Sequence, residues 1–433
     1  MLREAYIPIL IFAFLIMVQP AMAQNDSEGS SGSVYSKIGL GAPVDPANSS
    51  AYGMGLFGVS YIEPQVPSLG NPAHWGLTQY GIASGGFELR TTHASDGNDQ
   101  TSNTRLSATD FQLQVPLWQG TWGASLSFYP STQSMYRMVR DGQRVIGTGA
   151  SADTVGYTTD SSGSGGINNI ELGFGWSPNQ NLAVGYAAKL VVASIDNQFL
   201  TTFDDEGYQT VDFTLQTSGT AISHRFGLYL QFPGLLGDDD LLSLGATADL
   251  PATINATRNE EDNELQEGSF LRGSSAVGEA EISTPLSLSG GITYRVNLLT
   301  SFTVEGMYQN WGDATYAYNA GDEAMYSNRV KVGAGLRYHP FANGTTNVLS
   351  IFKYRLGVSY DTGHLSINGK DITTLKFSGG IGIPSSRTGS TIDLGMYYGF
   401  RGSQSQNLVK ENVWGLRLTL NLAELMFTRS RLQ

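Results

Sequence analysis

The 433-residue sequence contains no cysteine, which excludes disulfide bonds, thiolate metal sites and a cysteine nucleophile. It also excludes a lipid-anchored amino terminus, because that modification needs a cysteine at the cleavage site. Charged residues make up only 15% of the chain, and Asp and Glu (38) outnumber Lys and Arg (25). Because phosphate contacts depend on Lys and Arg, this balance argues against nucleic acid as a partner.

Beyond the first residues, the sequence has no apolar run of the ~20 residues that a membrane-spanning helix needs. The amino terminus has the features of a secretory signal peptide, with Arg3 before the apolar run 7–18 and a small-residue cleavage site at Ala21-Met22-Ala23. An uncleaved anchor is the alternative, but the run is short for that role. We therefore expect residues 1–23 to be a signal peptide that is removed.

Glycine and aromatic residues are abundant, with 53 Gly, 21 Tyr and 19 Phe. This composition is typical of β-structure with crowded small-residue faces and girdles of aromatic side chains. Along segments such as 330–338 and 414–422, every second residue is Val, Ala, Leu, Tyr or Trp. Alternation of this kind places one face of a strand against an apolar environment, which is either a second sheet or lipid.

The connections between strands favour lipid. We identify about fourteen candidate strands, near 79–92, 105–116, 120–134, 167–177, 182–199, 213–232, 241–256, 283–297, 301–315, 328–340, 352–361, 371–384, 389–401 and 412–424. Short turns, such as 118–120, alternate with longer polar loops, such as 92–104 and 135–166. Outer-membrane barrels sort their connections in this way, with the short turns in the periplasm. We therefore predict an all-β, transmembrane antiparallel β-barrel over residues 79–427, followed by a C-terminal tail, 428–433.

The segment before the first strand, residues 24–78, begins with a Ser- and Gly-rich stretch and shows no sustained period. Several short motifs here and near the carboxyl end occur in a recognisable order: VYSKIGLG at 34–41, GMGLFGV at 53–59, NPA at 71–73, GIGIP at 380–384, YGFRGS at 398–403, NLVKEN at 407–412 and ELMF at 424–427. In this order they resemble the FadL-like (OMPP1/TodX) outer-membrane transport proteins, particularly the Bacteroidetes-type members.

The resemblance implies a fourteen-stranded barrel in the bacterial outer membrane, plugged by residues 24–78 as an N-terminal hatch. It also implies passive passage of hydrophobic molecules that bind outside and leave through a lateral opening, although some relatives serve protein-secretion machinery instead. The chain departs from the family at VYSK, where relatives have PYSR, and in its polar outer loops, where fatty-acid transporters have apolar helices. The identity of the ligand is therefore left open.

The hatch holds the residues to which we assign a gating role. Asn71 can hydrogen-bond backbone groups, Pro72 fixes φ, and Ala73 allows close packing. Three further residues, Gly53, Gly55 and Gly58, permit positive φ or close backbone approach. The alternative is that both groups only dock the plug, as a turn and as packing positions.

One pair of residues suggests an enzyme. His364 and Ser366 have the His-x-Ser spacing of outer-membrane lipid hydrolases, in which His activates a serine hydroxyl. The following residues differ from those enzymes, and Asn368-Gly369 is a strong hairpin turn. We interpret this segment as a turn and predict that the protein is not an enzyme.

We therefore predict a channel for hydrophobic small molecules, with a subunit of a secretion or surface-display complex as the first alternative and a lipid hydrolase as the second. No cofactor or metal is expected, since there is no phosphate-binding loop and no metal-ligand spacing. The expected partners are membrane lipid and lipopolysaccharide. The acidic runs 204–206 and 260–264 could bind lipopolysaccharide through divalent cations, but charge runs of this kind are more often solvated loops. Inward-facing charges are expected to pair with each other or brace the plug, namely Glu88, Arg90, Lys189, Arg225, Glu305 and Arg337. The six tryptophans are expected at the membrane interface.

Overall fold

A computed structural model describes residues 32–97, 99–146, 153–205, 207–262, 274–315, 325–341, 347–385, 389–404 and 408–426. The predicted signal peptide, 1–23, and the tail, 428–433, lie outside these ranges. Among the described residues, no helix has both the length and the apolarity that crossing a membrane requires.

The described part of the chain is almost entirely antiparallel β-structure. Its strands are β1 (Ala42–Pro43), β2 (Tyr80–Ser95), β3 (Gln100–Trp118), β4 (Trp122–Gln133), β5 (Tyr136–Ile146), β6 (Asp153–Asn179), β7 (Leu182–Phe203), β8 (Val211–Pro233), β9 (Leu241–Asp249), β10 (Thr253–Asp262), β11 (Ser274–Ser283), β12 (Ser287–Arg295), β13 (Thr300–Gln309), β14 (Arg329–Tyr338), β15 (Lys353–Asp361), β16 (Ser366–Ile367), β17 (Lys370–Asp371), β18 (Thr374–Pro384), β19 (Thr391–Arg401) and β20 (Lys410–Leu425).

These strands form a closed barrel. Neighbours in the chain pair with each other, and β2 pairs with β20 from Tyr80↔Leu425 to Ser95↔Lys410, which closes the ring. At three places around the ring, two consecutive strands pair with the same neighbouring position and therefore count as one position. These are β4 with β5, β9 with β10, and β11 with β12. Over the described residues the barrel therefore has fourteen strand positions. The predicted all-β fold and strand number are confirmed.

Alternation along the strands separates two surfaces, as β20 illustrates. Its outward side chains are exposed apolar residues, including Leu416, Leu418 and Leu420, whereas the inward Arg417 and Asn421 are buried. A contiguous exposed apolar band on a folded protein requires an apolar surrounding, and lipid provides it for a barrel. The interior is correspondingly polar and charged.

The two rims differ in their connections. The turn rim carries the short connections 119–121, 180–181 and 296–299 and two longer ones, 234–240 and 339–352. The loop rim carries the connections at the other ends of the strands. The predicted loop 92–104 is wrong in detail, because β2 and β3 pair as far as Ser95↔Gln100. The predicted loop 135–166 is also wrong in detail, because β5 and the first half of β6 pair there from Tyr136↔Gly163 to Ile146↔Asp153. Polar residues on both faces hid this hairpin from a pattern search, since a sheet that extends beyond the lipid needs no apolar face.

Four of the six tryptophans, at 118, 122, 176 and 414, are exposed on the outside of the barrel, as the interface prediction requires. It is wrong for Trp75 and Trp311, which are almost completely buried. Both lie on short 3-10 helices (Pro72–Leu77 and Trp311–Asp313) rather than on strands, so the strand alternation that places lipid-facing residues does not apply to them.

The hatch contains short helical turns separated by extended chain. The 3-10 helix Val34–Lys37, helix α1 (Ser49–Tyr52) and the 3-10 helix Pro72–Leu77 follow each other along it. Each begins after a residue whose side chain accepts a hydrogen bond from the first turn, namely Ser33, Asn48 and Asn71. These N-caps satisfy backbone donors locally, which lets a segment without sheet pairing be buried.

Candidate functional site

A row of four glycines on the inner wall forms the seat of the hatch. Gly123, Gly175, Gly185 and Gly227 face one another in register across β4, β6, β7 and β8. A Cβ built at any of them would overlap atoms of the hatch segment 71–76. The absence of side chains along this glycine row therefore lets the hatch backbone lie directly against the wall.

Asn71 joins the hatch to this wall. Its side-chain amide donates to Val59 O (2.9 Å) and to Leu228 O in β8 (3.0 Å), while Oδ1 accepts from Ala73 N (3.0 Å). Asn71 and Ala73 are fully buried, and Pro72 occupies the first turn of the 3-10 helix. One side chain thus ties together two parts of the hatch and one barrel strand.

Glu305, on β13, holds a second part of the hatch. Oε2 accepts from Phe57 N (2.8 Å) and Gly58 N (2.9 Å), and Oε1 accepts from Val59 N (2.8 Å) and Ser60 N (2.9 Å). Four successive backbone donors around one carboxylate make an anion-binding nest. The loop curls in this way because Gly58 adopts φ +79°, a conformation that favours glycine.

The other two glycines singled out in the sequence, Gly53 and Gly55, lie against β15 and β18. Gly55 has φ +68°. Gly53 has an ordinary helical φ of −63°, but its backbone approaches the wall so closely that a Cβ there would lie 3.2 Å from Gly380 Cα. Glycine at position 53 is therefore explained by the close approach of the hatch backbone to the wall. At positions 55 and 58 it is explained by the positive φ angle.

Buried ion pairs clamp the hatch at two further points. Glu63 pairs with Lys353 and with Arg355 (2.8 Å) on β15. Burial opposes ionisation of Glu63, but the charges of Lys353 and Arg355 outweigh it, so its pKa lies well below the usual value. Two buried cations therefore keep this carboxylate ionised.

Asp45 makes the second clamp, with Arg329 (2.7 Å) and Lys331 (2.7 Å) on β14. Burial again opposes ionisation, and the two cations again lower the pKa of Asp45 far below its ordinary range. Removing one partner of such a buried pair is strongly destabilising, because it leaves an uncompensated charge.

The barrel wall is interrupted between strands β3 and β4. Strands β3 and β4 pair from Trp118↔Trp122 to Phe111↔Phe128 and then separate. Towards the loop rim, β3 continues over Gln100–Asp110 and pairs with β2, but no described strand pairs with its other edge. A gap therefore opens between β3 and β4 in the half of the barrel nearer the loop rim.

The hatch fills the β4 side of this gap. Ala42 of β1 faces Gln133 of β4 in antiparallel register, and Val44 N donates to Ser131 O at 2.8 Å. Strand β1 thus takes the position on β4 that β3 leaves. The hatch is part of the barrel wall at this point, besides being a plug inside it.

The interior near the loop rim contains a large apolar cluster. Its buried members come from the hatch, the wall and the loop-rim connections, and include Tyr35, Leu40, Ile167, Val191, Ile195, Ile254, Ile282, Trp311, Tyr326 and Leu365. A cavity of about 100 Å³ borders the cluster. Apolar side chains that point into a barrel lumen provide a surface for apolar molecules.

The His-x-Ser segment packs into this cluster. The His364 ring packs 4.9 Å from Trp311, and burial lowers its pKa to about 3. Ser366 lies in β16, which pairs with β17, and no hydrogen bond joins it to His364 among the described residues. The pair lacks the nucleophile–base contact that hydrolysis needs.

Sequence reasoning found Asn71, Pro72, Ala73 and Gly58, which the fold brings to one side of the hatch. It did not anticipate Asp45 or Glu63, and it grouped Glu305 only with the inward charges. That expectation is confirmed for Lys189 and Arg225, which both pair with Asp249. The gating role assigned to the hatch residues stays a prediction.

The fold is similar to that of known channels. The CymD monoaromatic hydrocarbon channel is 15% identical, with 90% of this chain and 99% of that chain covered and a TM-score of 0.54. The Ralstonia pickettii toluene transporter TbuX is 13% identical, with 88% and 98% covered and a TM-score of 0.55. A Pseudomonas aeruginosa FadL homologue is 12% identical, with 89% and 99% covered and a TM-score of 0.56.

At these identities the likeness supports the FadL-like fold that the motifs suggested and no more. Comparison with curated proteins gives no match. One family model, described as BamG, matches residues 1–433, which is the whole sequence. The chain therefore belongs to the BamG family.

Proposed function

We propose that the protein is an outer-membrane channel for the passive passage of hydrophobic small molecules, with the hatch as its gate. A molecule would enter from the loop rim, cross the inner apolar cluster and leave sideways between β3 and β4. In this proposal the moving part of the gate is β1. The similar structures are described as channels for monoaromatic hydrocarbons and as a toluene transporter, which agrees with this class of cargo.

The interrupted wall is the observation that carries the proposal. An ordinary porin wall is paired throughout, whereas here one edge of β3 over Gln100–Asp110 has no strand partner among the described residues. A two-residue hatch strand covers the facing edge of β4. The two register pairs and the Val44–Ser131 hydrogen bond form a short contact with β4, so displacement of β1 would open a path from the lumen to lipid while Asp45 keeps its partners on β14.

A disulfide lock tests this gate. Ala42 and Gln133 are register partners, and the chain has no native cysteine, so an Ala42→Cys/Gln133→Cys protein contains a single possible cross-link. We expect uptake of a labelled monoaromatic hydrocarbon by cells producing this variant to stop after oxidation and to return after reduction.

The matched control is Val304→Cys/Ala334→Cys, which links register partners on β13 and β14 that are already paired. Oxidation of this variant should leave uptake unchanged. If the oxidised Ala42→Cys/Gln133→Cys protein transported as well as its reduced form, the lateral route past β1 would be wrong.

A second candidate function, a subunit of a secretion or surface-display complex, is favoured by the turn rim. Three of its connections, next to each other around the barrel, expose apolar side chains: Leu235, Leu236, Leu298, Phe341, Val348 and Leu349. Exposed apolar patches often mark protein contacts. Loss of surface proteins in a deletion strain, with hydrocarbon uptake unchanged, would support this function over the channel.

Two finer assignments also remain proposals. Membership among Bacteroidetes-type FadL-like proteins rests on the motif order alone. Cation-mediated contact with lipopolysaccharide rests on the acidic runs, of which Asp204 and Asp205 are exposed on the loop rim. Release of lipopolysaccharide from the purified protein by a chelator would support this contact.

A further inference from the structure

A second, larger cavity lies between the hatch and the wall and differs in character from the apolar cluster. Its volume is about 150 Å³, and it extends from β3, beside the gap, to β14, β18 and β20. Seven Lys and Arg side chains line it, but only four Asp and Glu side chains do. This positive excess stands out in a protein whose net charge is −13.

Two cations account for much of the excess. Five of the seven form ion pairs with carboxylates of the hatch or wall. Arg105 of β3 and Lys376 of β18 form none with any described residue. Lys376 lies 4.9 Å from the centre of the Tyr397 ring, and the buried Arg105 Nε has no hydrogen-bond partner among the described residues.

Partly buried cations without counter-charges are costly, because burial removes water without replacing its hydrogen bonds. Elsewhere in this lumen such costs are offset by carboxylates, as at Asp45 and Glu63. Arg105 and Lys376 are therefore able to bind an anion that enters the cavity. Phosphate, an oxyanion with several oxygens, is one of the groups that the Arg guanidinium binds through two parallel hydrogen bonds.

The cavity also lies beside the gap in the wall, which opens towards lipid. Arg105 lies on the stretch of β3 whose edge faces the gap, and the outward neighbour Leu106 is 61% exposed. A headgroup could reach the cations through the gap while its acyl chains stayed in the surrounding apolar phase. A free ion would gain nothing from the gap, so the geometry favours a lipid.

We propose that this cavity binds the phosphate headgroup of a membrane lipid that enters sideways through the gap between β3 and β4, with Arg105 and Lys376 as the ligands of the phosphate. The site is separate from the inner apolar cluster and does not depend on hydrocarbon transport. Its occupant would be resident lipid rather than cargo.

The test uses the mature protein in an uncharged maltoside detergent, with binding counted by native mass spectrometry. Dioctanoylphosphatidylglycerol is the probe, dioctanoylglycerol supplies the same chains without phosphate, and inorganic phosphate serves as competitor. The variant is Arg105→Gln/Lys376→Gln, and Arg140→Gln, on the exposed hairpin outside the cavity, is the matched control. Arg105→Lys retains the charge in case the double variant fails to form a barrel.

We expect one phosphatidylglycerol per barrel, at least tenfold weaker binding by the double variant, and unchanged binding by Arg140→Gln. Arg105→Lys should keep most of the binding, and dioctanoylglycerol should bind at least tenfold more weakly than the phospholipid. Equal binding by the double variant, or equal binding of dioctanoylglycerol, would overturn the proposal. Displacement by equimolar inorganic phosphate would overturn the lipid source in favour of a free ion. Hydrocarbon uptake by the double variant is measured separately. Because the site does not depend on hydrocarbon transport, uptake should stay at the wild-type level, so failure of one proposal can be told from failure of the other.

Discussion

Replacing Glu305 is the most direct way to release the hatch without touching the hatch itself. This side chain is 1% exposed and accepts hydrogen bonds from four successive backbone amides, of residues 57–60. In Glu305→Gln, the amide oxygen can still accept two of these hydrogen bonds, but the NH₂ group faces the other two donors. In Glu305→Ala, all four donors lose their acceptor.

A buried donor without a partner costs about 1–3 kcal/mol. Two lost partners in Glu305→Gln therefore correspond to about 2–6 kcal/mol, and Glu305→Ala loses more unless water enters the space. Since every 1.4 kcal/mol changes an equilibrium about tenfold, even the lower figure predicts a roughly thirtyfold larger population of the open loop. The barrel should remain folded, because the strand pairing of β13 does not involve the side chain.

Hydrogen–deuterium exchange of peptides covering residues 57–60 measures this opening. We expect fast exchange in Glu305→Ala, an intermediate rate in Glu305→Gln, and wild-type rates in Glu281→Gln, which alters an exposed carboxylate on β11. Wild-type protection of residues 57–60 in Glu305→Ala, in a barrel that still shows heat-modifiable migration, would refute the role given to the nest.

Three further predictions concern the same seat. Asn71→Asp should loosen the hatch more than Asn71→Ala in limited proteolysis, because it turns two donors towards carbonyls into acceptors and buries a charge; equal cleavage would contradict this reason. Gly227→Ala should displace the hatch, since the new Cβ overlaps Asn71 Oδ1, whereas Gly290→Ala meets only one atom, at 3.9 Å, and should behave as wild type in the same assay. Burial lowers the pKa of His74 to about 3. Below about pH 6.5 the unfolded hatch therefore binds a proton that the docked hatch does not. As the pH falls from about 6.5 towards 3, docking should weaken by about 1.4 kcal/mol per pH unit. Amide exchange of residues 68–76 as a function of pH measures this slope, which His74→Gln should flatten.

The barrel was predictable because the alternation of apolar and polar residues can be recognised in each strand separately. The alternation in 414–422 depends only on which side of β20 faces lipid, and that requirement is local to the strand. The hairpin of β5 and β6 was missed because it extends beyond the lipid, where both faces meet water and the alternation disappears. The sequence pattern therefore indicates where a strand crosses the apolar band and understates how far it continues.

The candidate site was predictable only where the chain contacts itself nearby. Asn71 stands in a recognisable turn, and its partner Val59 is twelve residues away. Glu305 contacts residues that are more than 240 positions distant, and Glu63 pairs with Arg355 across a separation of 292 residues. Such contacts follow from the closure and register of the barrel, and neither can be deduced from one inward-facing charge. Sequence reasoning could say that inward charges would brace the plug, but it could not pair them.

The distribution of these contacts indicates which part of the hatch can move. Residues 48–78 are held by the glycine row, by Asn71, by the Glu305 nest and by Glu63, so their displacement would break several buried interactions at once. Residues 41–47 are held by fewer contacts, namely two register pairs with β4, the hydrogen bond from Val44 N to Ser131 O, and the Asp45 clamp with Arg329 and Lys331. Because a conformational change follows the least costly set of broken contacts, opening should be confined to β1 and its flanks while the rest of the hatch stays docked. A gate of this kind widens a hole in the wall rather than emptying the lumen, so it would admit a molecule to lipid without creating a water-filled pore.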